Sequence, residues 1–382
     1  MRSETLDTIV SSSTQNHALA VQKQRKRLLF VDVLNIVSSF AVVLLHTSIG
    51  AFSPERSPLW LSSLLSQSLA IFAVPIFFMV SGMNLIGYRS RYSTRVFLKR
   101  RLLRVGVSLF LASLFAYLLL CAFPHSFFGA ESFEGVASAG DFLTRFLTNG
   151  ILDIYWFLYA IIYLYLLTPL LSLMTGRRRV QEYVLALCLI VSVIIPFMTH
   201  LGVDYTYFQT LFGWPLFSNV NLFYFLLGFY ISAHVRPPRR IWPLVGTYLL
   251  SAGLMFAGGL LECGYFGSSE MSPYNNYLIG ITSPFCVLMS VSLFQLARSL
   301  EGRLQGLSDR VRQAISRISG CAFGVYLFHI LLVNLTGGGL LGKLLNHFSN
   351  PFVRAILIYA ATLCLVALAK NALRAFTRLT RK

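Results

Sequence analysis

Residues 31–48 of the chain read VDVLNIVSSFAVVLLHTS. Most of these residues are apolar, as in a helix that crosses a membrane, but the segment also contains Asp32, Asn35 and His46. Because a helix turns by about 100° per residue, Asp32, Ser39 and His46 lie within about 40° of one another, and Asn35 joins them. One stripe of this helix is therefore polar. A polar stripe is costly against lipid, so we expect it to face the interior of a helix bundle or a wet cavity.

The composition of the whole chain indicates a membrane protein. Of the 382 residues, 56% are hydrophobic and 12% are charged, which is roughly half the charged fraction of a soluble domain. The formal net charge of +18 is compatible with nucleic-acid binding. However, the Lys and Arg residues are gathered in short connections between apolar runs, as the positive-inside rule predicts. We therefore expect a protein of the bilayer that binds no nucleic acid.

Apolar stretches define the predicted architecture. A stretch of about 20 apolar residues is needed to cross the hydrocarbon core. Ten stretches satisfy this, at about 28–52, 64–87, 102–123, 155–174, 181–200, 217–234, 242–262, 276–298, 319–340 and 352–373. The sequence thus predicts an all-α polytopic membrane protein with about ten transmembrane helices. We expect a disordered basic tail at 1–27, a membrane domain at 28–373 and a second basic tail at 374–382.

Charge alternates between the connections and predicts the orientation. Basic residues gather in KQRKR at 23–27 and at 89–104, 176–179, 236–240, 298–317 and 370–382. The intervening connections hold acidic residues instead, namely Glu55, Glu131, Glu134, Asp141, Asp153, Asp204 and Glu270. The positive-inside rule then places both termini in the cytoplasm, which requires an even number of spans. We expect a multi-pass protein of the inner or plasma membrane of the cell.

The six cysteines show no metal-binding or pairing pattern. They are scattered, and no CxxC or zinc spacing occurs. Most lie inside apolar runs, where cysteine acts as a small core residue. We expect neither a metal site nor a disulfide framework.

A second informative stretch runs from residue 74 to residue 104. Pro75 removes a backbone hydrogen bond within the span, and the pair Ser81-Gly82 permits close approach of another helix. The basic connection that follows includes Arg100, Arg101 and Arg104. Membrane orientation alone explains the sign of this charge. Its density also fits an anionic cytoplasmic ligand such as a nucleotide phosphate, and the residues leave both interpretations open.

Two later stretches carry aromatic and imidazole side chains. Tyr155 and Trp156 open the segment DIYWFLYAIIYLYLLTPLL at 153–171, where an aromatic belt at the membrane interface would explain them. Tyr326 and His329 are three residues apart on one helix face. His329 is either a structural histidine or a second interior polar group. For His46 the alternatives are a hydrogen bond between helices or a functional base.

These stretches together resemble the acyltransferase 3 family of integral membrane acyltransferases. The family includes enterobacterial common antigen O-acetyltransferase and similar polysaccharide-modifying enzymes. The matching features are D-x-L-N with VVLLHTS, VPIFFMVSGMNL, KRRLLR, YWFLYAIIYLYLLTPLL and GVYLFH, in family order from residue 28 to about 335. The resemblance implies that an acyl group moves from cytoplasmic acyl-CoA to an acceptor sugar at the outer face.

The resemblance also implies roles for individual residues. The family pattern in the first span is Arg, ten residues, then His; this chain has His46 at the histidine position and Asn35 at the arginine position. His46 would be catalytic, and Asp32 and Asn35 would belong to the same catalytic site, where one of them would order the stripe. Binding of acyl-CoA is implied for Arg100, Arg101 and Arg104 and for Ser81. Substrate binding is implied for Tyr155, Trp156, Tyr326 and His329.

On this basis we expect a membrane O-acyltransferase with His46 as general base or, alternatively, as an acylated nucleophile. The acyl group is acetyl by the same resemblance. The expected partners are acyl-CoA as donor substrate, a glycan or glycolipid acceptor and the bilayer, with no bound cofactor. Fold does not fix function. A transporter or exporter of a small metabolite or glycan, and a sensor or assembly protein on the same frame, stay open as alternatives.

Overall fold

The computed structural model describes residues 27–204, 216–267, 270–272, 277–336, 342–344 and 347–380. Within these ranges the chain is helical and forms no strand, apart from an isolated β-bridge between Phe127 and Leu335. Helices of spanning length and apolar composition confirm the prediction of an all-α polytopic membrane protein. Of the predicted N-terminal tail only Arg27 lies inside the described residues. The last helix runs through position 374 and ends at Leu379.

The helices are numbered here in chain order. They are α1 (Leu29–Thr47), α2 (Pro58–Ala70), α3 (Ala73–Leu85), α4 (Thr94–Ala122), α5 (Ala139–Leu147), α6 (Trp156–Leu171), α7 (Arg178–Leu189), α8 (Ile195–His200), α9 (Val220–His234), α10 (Trp242–Glu262), α11 (Pro284–Ser299), α12 (Glu301–Gln305), α13 (Asp309–Val333) and α14 (Pro351–Leu379). A π-helical turn at Ile190–Ile194 joins α7 to α8.

Each predicted span coincides with a helical segment, but the segments differ in length. In the described residues, eight are long and apolar enough to cross a membrane. The predicted spans at 217–234 and 276–298 correspond to two shorter apolar helices, α9 and α11. The ten-span count and the cytoplasmic termini stay predictions.

The second predicted span, at about 64–87, is interrupted a few residues before Pro75. Its helical segment divides into α2 and α3 around residues 71–72, and Pro75 lies in the first turn of α3. A proline ring clashes with the carbonyl four residues earlier, which is that of Ile71. The chain therefore interrupts its hydrogen-bond ladder just before α3 and resumes in a turn that tolerates proline.

Helix α1 is central in the bundle and contacts α2, α3, α11, α13 and α14. Its first turn lacks a capping side chain from its own N-cap residue. The carboxylate of Glu301 in α12 supplies that function, because it accepts hydrogen bonds from the backbone N–H groups of Leu29 (3.3 Å) and Phe30 (2.8 Å). A negative charge at a helix N-terminus also offsets the helix dipole. The basic connection before α13 thus fixes the start of α1.

Helices α3 and α9 cross with their backbones in contact. A Cβ atom built on Gly82 would overlap the carbonyl oxygen of Phe225, and one built on Gly228 would overlap that of Met79. The close approach expected from Ser81-Gly82 is therefore present. Gly228 is its counterpart on α9.

The connection between α4 and α6 folds over the end of α13. The backbone N–H of Phe128 donates to the Asn334 carbonyl at 2.7 Å, and that of Thr336 donates to the Ser126 carbonyl at 3.0 Å. Helix α5 lies in the same connection. This segment covers the end of the bundle at which α1 terminates.

The α3–α9 crossing gives a prediction about stability. We expect Gly82→Ala to lower the free energy of unfolding by about 1–3 kcal/mol, because two backbones would have to separate to admit one methyl group. Thermal unfolding of the purified protein in detergent measures the change. The matched control is Gly253→Ala in α10, where nothing lies within 4 Å of the added Cβ. Equal melting temperatures for the two variants would contradict the close crossing.

Candidate active site

Two histidines from distant parts of the chain meet in the bundle. His46 lies in the last turn of α1 and His329 lies in α13. Their ring centroids are 5.0 Å apart, and Nε2 of His329 lies 3.3 Å from Nδ1 of His46. His329 is fully buried, whereas His46 is half-buried. The sequence predicted an interior or cavity-facing stripe for His46, left His329 open as a structural histidine or a second interior polar group, and did not predict that the two rings touch.

The partners of the two rings assign their tautomers. Nδ1 of His329 lies 3.0 Å and 2.9 Å from the carbonyl oxygens of Val325 and Tyr326. A carbonyl only accepts, so this nitrogen carries the proton and Nε2 of His329 is the acceptor. Nδ1 of His46 lies 2.8 Å from the Val42 carbonyl and faces that acceptor, so it is also protonated. The unprotonated nitrogen of His46 is therefore Nε2, which has no partner among the described residues.

His46 lines a cavity of about 200 Å³, here called the outer cavity. Its walls come mainly from α13 and from the connection between α4 and α6, and are mostly apolar. The polar side chains on them are those of His46, Asp153 and Asn334. Asp153 is close enough to His46 to interact with it electrostatically. From the sequence, Asp153 is one of several acidic residues in the connections, although it stands two residues before Tyr155.

A second cavity of about 200 Å³, here called the inner cavity, lies nearer the basic end of the bundle. Three of the residues singled out from the sequence line it, namely Asn35, Ser81 and Tyr326. Tyr165 and Ser319 add two further hydroxyl groups. The structure thus brings Asn35 at the arginine position of the family motif, Ser81 and Tyr326 to one cavity.

Tyr326 separates the two cavities. Its ring is on the wall of the inner cavity, and its hydroxyl donates a hydrogen bond to the carbonyl of Ile154, which is on the wall of the outer cavity. Nearby, the buried hydroxyl of Tyr155 donates to the carbonyl of Leu327 at 3.2 Å. These two bonds tie α13 to the start of α6, and the bond between Tyr326 and Ile154 joins the walls of the two cavities.

The predicted acyl-CoA arginines divide into two groups. Arg101 and Arg104 interact electrostatically with Tyr165 on the wall of the inner cavity. The guanidinium of Arg100 instead lies over the ring of Tyr92, 5.9 Å from its centroid. Arg101 and Arg104 therefore supply positive charge beside the inner cavity, where Asn35 supplies none.

Asp32 belongs to a different site from His46. The two residues are fourteen positions apart in one helix, which is about 21 Å along its axis. Asp32 is 4% exposed and accepts two hydrogen bonds from Arg27 (2.6 and 2.8 Å) and one from Ser319 (2.7 Å). The bond to Asp32 raises the pKa of the Arg27 guanidinium. Asn35 donates weakly to Ser319 at 3.5 Å.

Trp156 lies away from both cavities. It is 38% exposed on the surface of the bundle, and its ring contacts Phe157 edge-on, with 6.4 Å between the ring centroids. A partly exposed tryptophan at the end of a span is typical of the membrane interface.

The comparison with known families bears directly on this arrangement. The chain matches a family model described as an acyltransferase domain, over residues 28–370. The chain belongs to this family of membrane acyltransferases. The match includes both cavities and the histidine pair of the acyltransferase. No curated protein and no solved structure matches it. Family membership supports acyltransferase activity at a membrane.

The separation of Asp32 from His46 predicts the effect of removing its charge. We expect Asp32→Asn in the acyltransferase to lower the free energy of unfolding by about 1–2 kcal/mol, because a nearly buried carboxylate loses charged hydrogen bonds. Thermal unfolding measures this loss, and kcat measured on the folded fraction should stay within about threefold of wild type. A fall in kcat of a hundredfold or more would instead place Asp32 in the chemistry.

Proposed function

We propose that this protein is a membrane O-acyltransferase of the inner or plasma membrane. It transfers an acyl group, acetyl by family resemblance, from cytoplasmic acyl-CoA to a hydroxyl of a cell-surface polysaccharide or glycolipid. The observation that carries the proposal is the free Nε2 of His46 at the wall of the outer cavity, with His329 held against the other side of the same ring. Family membership supports the acyl-transfer part of the proposal.

His46 acts as general base in this proposal. Nε2 accepts the proton of the acceptor hydroxyl as its oxygen attacks the thioester carbonyl. The C–S bond breaks, and the thiolate of CoA leaves and takes up the proton. During the reaction the imidazolium of His46 donates through Nδ1 to Nε2 of His329 and to the Val42 carbonyl. His329 is then a positioning residue, because it holds the tautomer in which Nε2 of His46 is free.

The donor enters from the basic end of the bundle. The phosphates of acyl-CoA dock near Arg101 and Arg104, and the pantetheine arm occupies the inner cavity beside Ser81 and Tyr165. Arginine is suited to this because its planar guanidinium binds phosphate with two hydrogen bonds. The charge beside the inner cavity supports this route, because Asn35 cannot supply the positive charge that the family motif has in the first span.

The acceptor enters from the other end. A sugar hydroxyl reaches the outer cavity, where the carboxylate of Asp153 and the amide of Asn334 offer hydrogen bonds. Asp153 also lies where it would stabilise the imidazolium of His46, since opposite charges attract. In a second route Nε2 of His46 attacks the thioester itself and forms an acyl-histidine before the sugar arrives.

The role of His46 gives a direct test. We expect His46→Ala to lower kcat for transfer of labelled acetyl from acetyl-CoA to a glycan acceptor by 10²–10⁴-fold, the usual contribution of a general base. Binding of CoA should be unchanged. The assay uses the purified full chain in proteoliposomes.

The matched control is His125→Ala. His125 is an exposed histidine that pairs with Glu134 at 3.3 Å and lines neither cavity, so its variant should transfer normally. Undiminished transfer by His46→Ala would refute the proposed role. A wild-type protein that does not bind CoA but moves a metabolite or glycan across the membrane would favour the transporter alternative.

The donor route predicts a separate kinetic effect. We expect the double variant Arg101→Ala, Arg104→Ala to raise KM for acetyl-CoA about tenfold or more while kcat falls much less, because a binding interaction is lost without a change in the base. The double variant Arg177→Ala, Arg179→Ala removes the same charge from exposed positions at the start of α7 and should leave KM unchanged. Equal KM values for the two double variants would place the phosphates elsewhere.

A further inference from the structure

A third cavity, here called the basic cavity, opens at the end of the bundle where the basic connections lie. It has a volume of about 860 Å³ and lies between α13, α14 and the start of α1. Among the described residues, its lining includes no acidic side chain. Four cationic side chains line it, those of Arg27, Arg317, Lys370 and Arg374. The concentration of positive charge predicts an anionic ligand.

Two of these charges are unused in the fold. Arg27 forms an ion pair with Asp32, and the ammonium of Lys370 donates a hydrogen bond to the carbonyl of Gly320. The guanidinium groups of Arg317 and Arg374 have no hydrogen-bond or carboxylate partner in the part of the chain that the structure describes. Both side chains are exposed. They are therefore free to bind an anion without breaking an existing ion pair.

The basic cavity is separated from the inner cavity by helix α13. Ser319 lines the inner cavity and Arg317 lines the basic cavity. Two residues on a helix differ by about 200°, so these side chains lie on opposite sides of α13. Arg27 lines the basic cavity and also pairs with Asp32, so the cavity reaches the start of the polar stripe of α1. Arg317 faces away from the inner cavity and is distinct from Arg101 and Arg104, beside which the donor is proposed to dock.

An apolar groove adjoins the basic cavity. The groove runs between α4, α13 and α14, has a volume of about 650 Å³ and is lined almost entirely by hydrocarbon side chains. Lys370 lines both the groove and the basic cavity. On the walls of the groove, Leu365 is 54% exposed and Leu373 is 64% exposed, so this side of α14 faces lipid. One surface thus combines a cationic end with an acyl-chain-sized apolar channel.

We propose that this surface binds one anionic phospholipid of the cytoplasmic leaflet. The phosphate of its headgroup binds Arg317 and Arg374, next to Lys370, and an acyl chain lies along the groove between α13 and α14. Basic pockets between transmembrane helices on the cytoplasmic side are suited to anionic headgroups. Acyl-CoA also carries phosphates, but the groove lies along the lipid-facing side of α13 and α14, where an acyl chain of the bilayer reaches it directly.

The test compares lipid retention by native mass spectrometry. The full chain is purified, equilibrated with equal amounts of phosphatidylglycerol and phosphatidylcholine in mixed micelles, and analysed for bound lipid. We expect the wild type to retain phosphatidylglycerol preferentially. The double variant Arg317→Ala, Arg374→Ala should retain it about tenfold less, since each cation near a headgroup contributes a severalfold gain. The double variant Arg239→Ala, Arg240→Ala removes the same charge from an exposed connection and should behave as wild type.

Competition distinguishes the lipid from other phosphate ligands. Millimolar inorganic phosphate or CoA should leave the phosphatidylglycerol bound, because neither fills the groove. Displacement by either compound, equal retention of the two lipids by the wild type, or undiminished retention by the Arg317/Arg374 variant would overturn the proposal. If that double variant does not fold, the single variant Arg374→Gln on the exposed face of α14 should still show a severalfold loss.

Discussion

Hydrocarbon offers no hydrogen-bond partners, and this constraint organises the bundle around α1. A polar group left unpaired in lipid costs several kcal/mol, so each polar side chain of the stripe needs a partner from another helix. Asp32 meets Ser319 of α13 at 2.7 Å, Ser39 meets Tyr359 of α14 at 3.1 Å and His46 meets His329 of α13 at 3.3 Å. These three contacts, spaced along α1, hold α13 and α14 against one face of that helix.

The same need for partners gives the histidine pair a direction. The main-chain carbonyls beside His329 only accept, so the proton on each ring is fixed by the backbone of its own helix. The two rings form a short chain that ends in one free lone pair, on Nε2 of His46. The position of this lone pair is thereby set by backbone carbonyls of α1 and α13.

Much of the frame follows from the sequence because membrane helices obey local rules. The length of the apolar stretches locates the spans. The helical period of about 100° per residue places Asp32 and His46 on one stripe, and the Ser81-Gly82 pair predicts a close helix crossing. Each of these depends on residues near one another in the chain.

The sequence does not reveal which residues contact each helix face, because periodicity defines a face but not the element that packs on it. The contact of His46 with His329 joins positions 283 residues apart, and Glu301 caps a helix 271 residues earlier in the chain. Asp153 looked like one acid among several in an external connection, and only the fold of that connection brings it to the outer cavity. Gly228 likewise has no distinguishing neighbour in its own segment.

The hydrogen bond between Tyr326 and Ile154 has a consequence for how much of the proposed donor is lost to hydrolysis. A thioester is hydrolysed wherever a base and water reach it together, and in the proposed reaction the base is His46, which lines the outer cavity. While Tyr326 is bonded to Ile154, a thioester in the inner cavity and water in the outer cavity would be in separate compartments. In that reaction, an opening of α13 against the start of α6 would be needed for the base to meet the donor. An acceptor that favours this opening would promote acyl transfer over hydrolysis of the thioester, so little acyl-CoA would be hydrolysed while no sugar is bound.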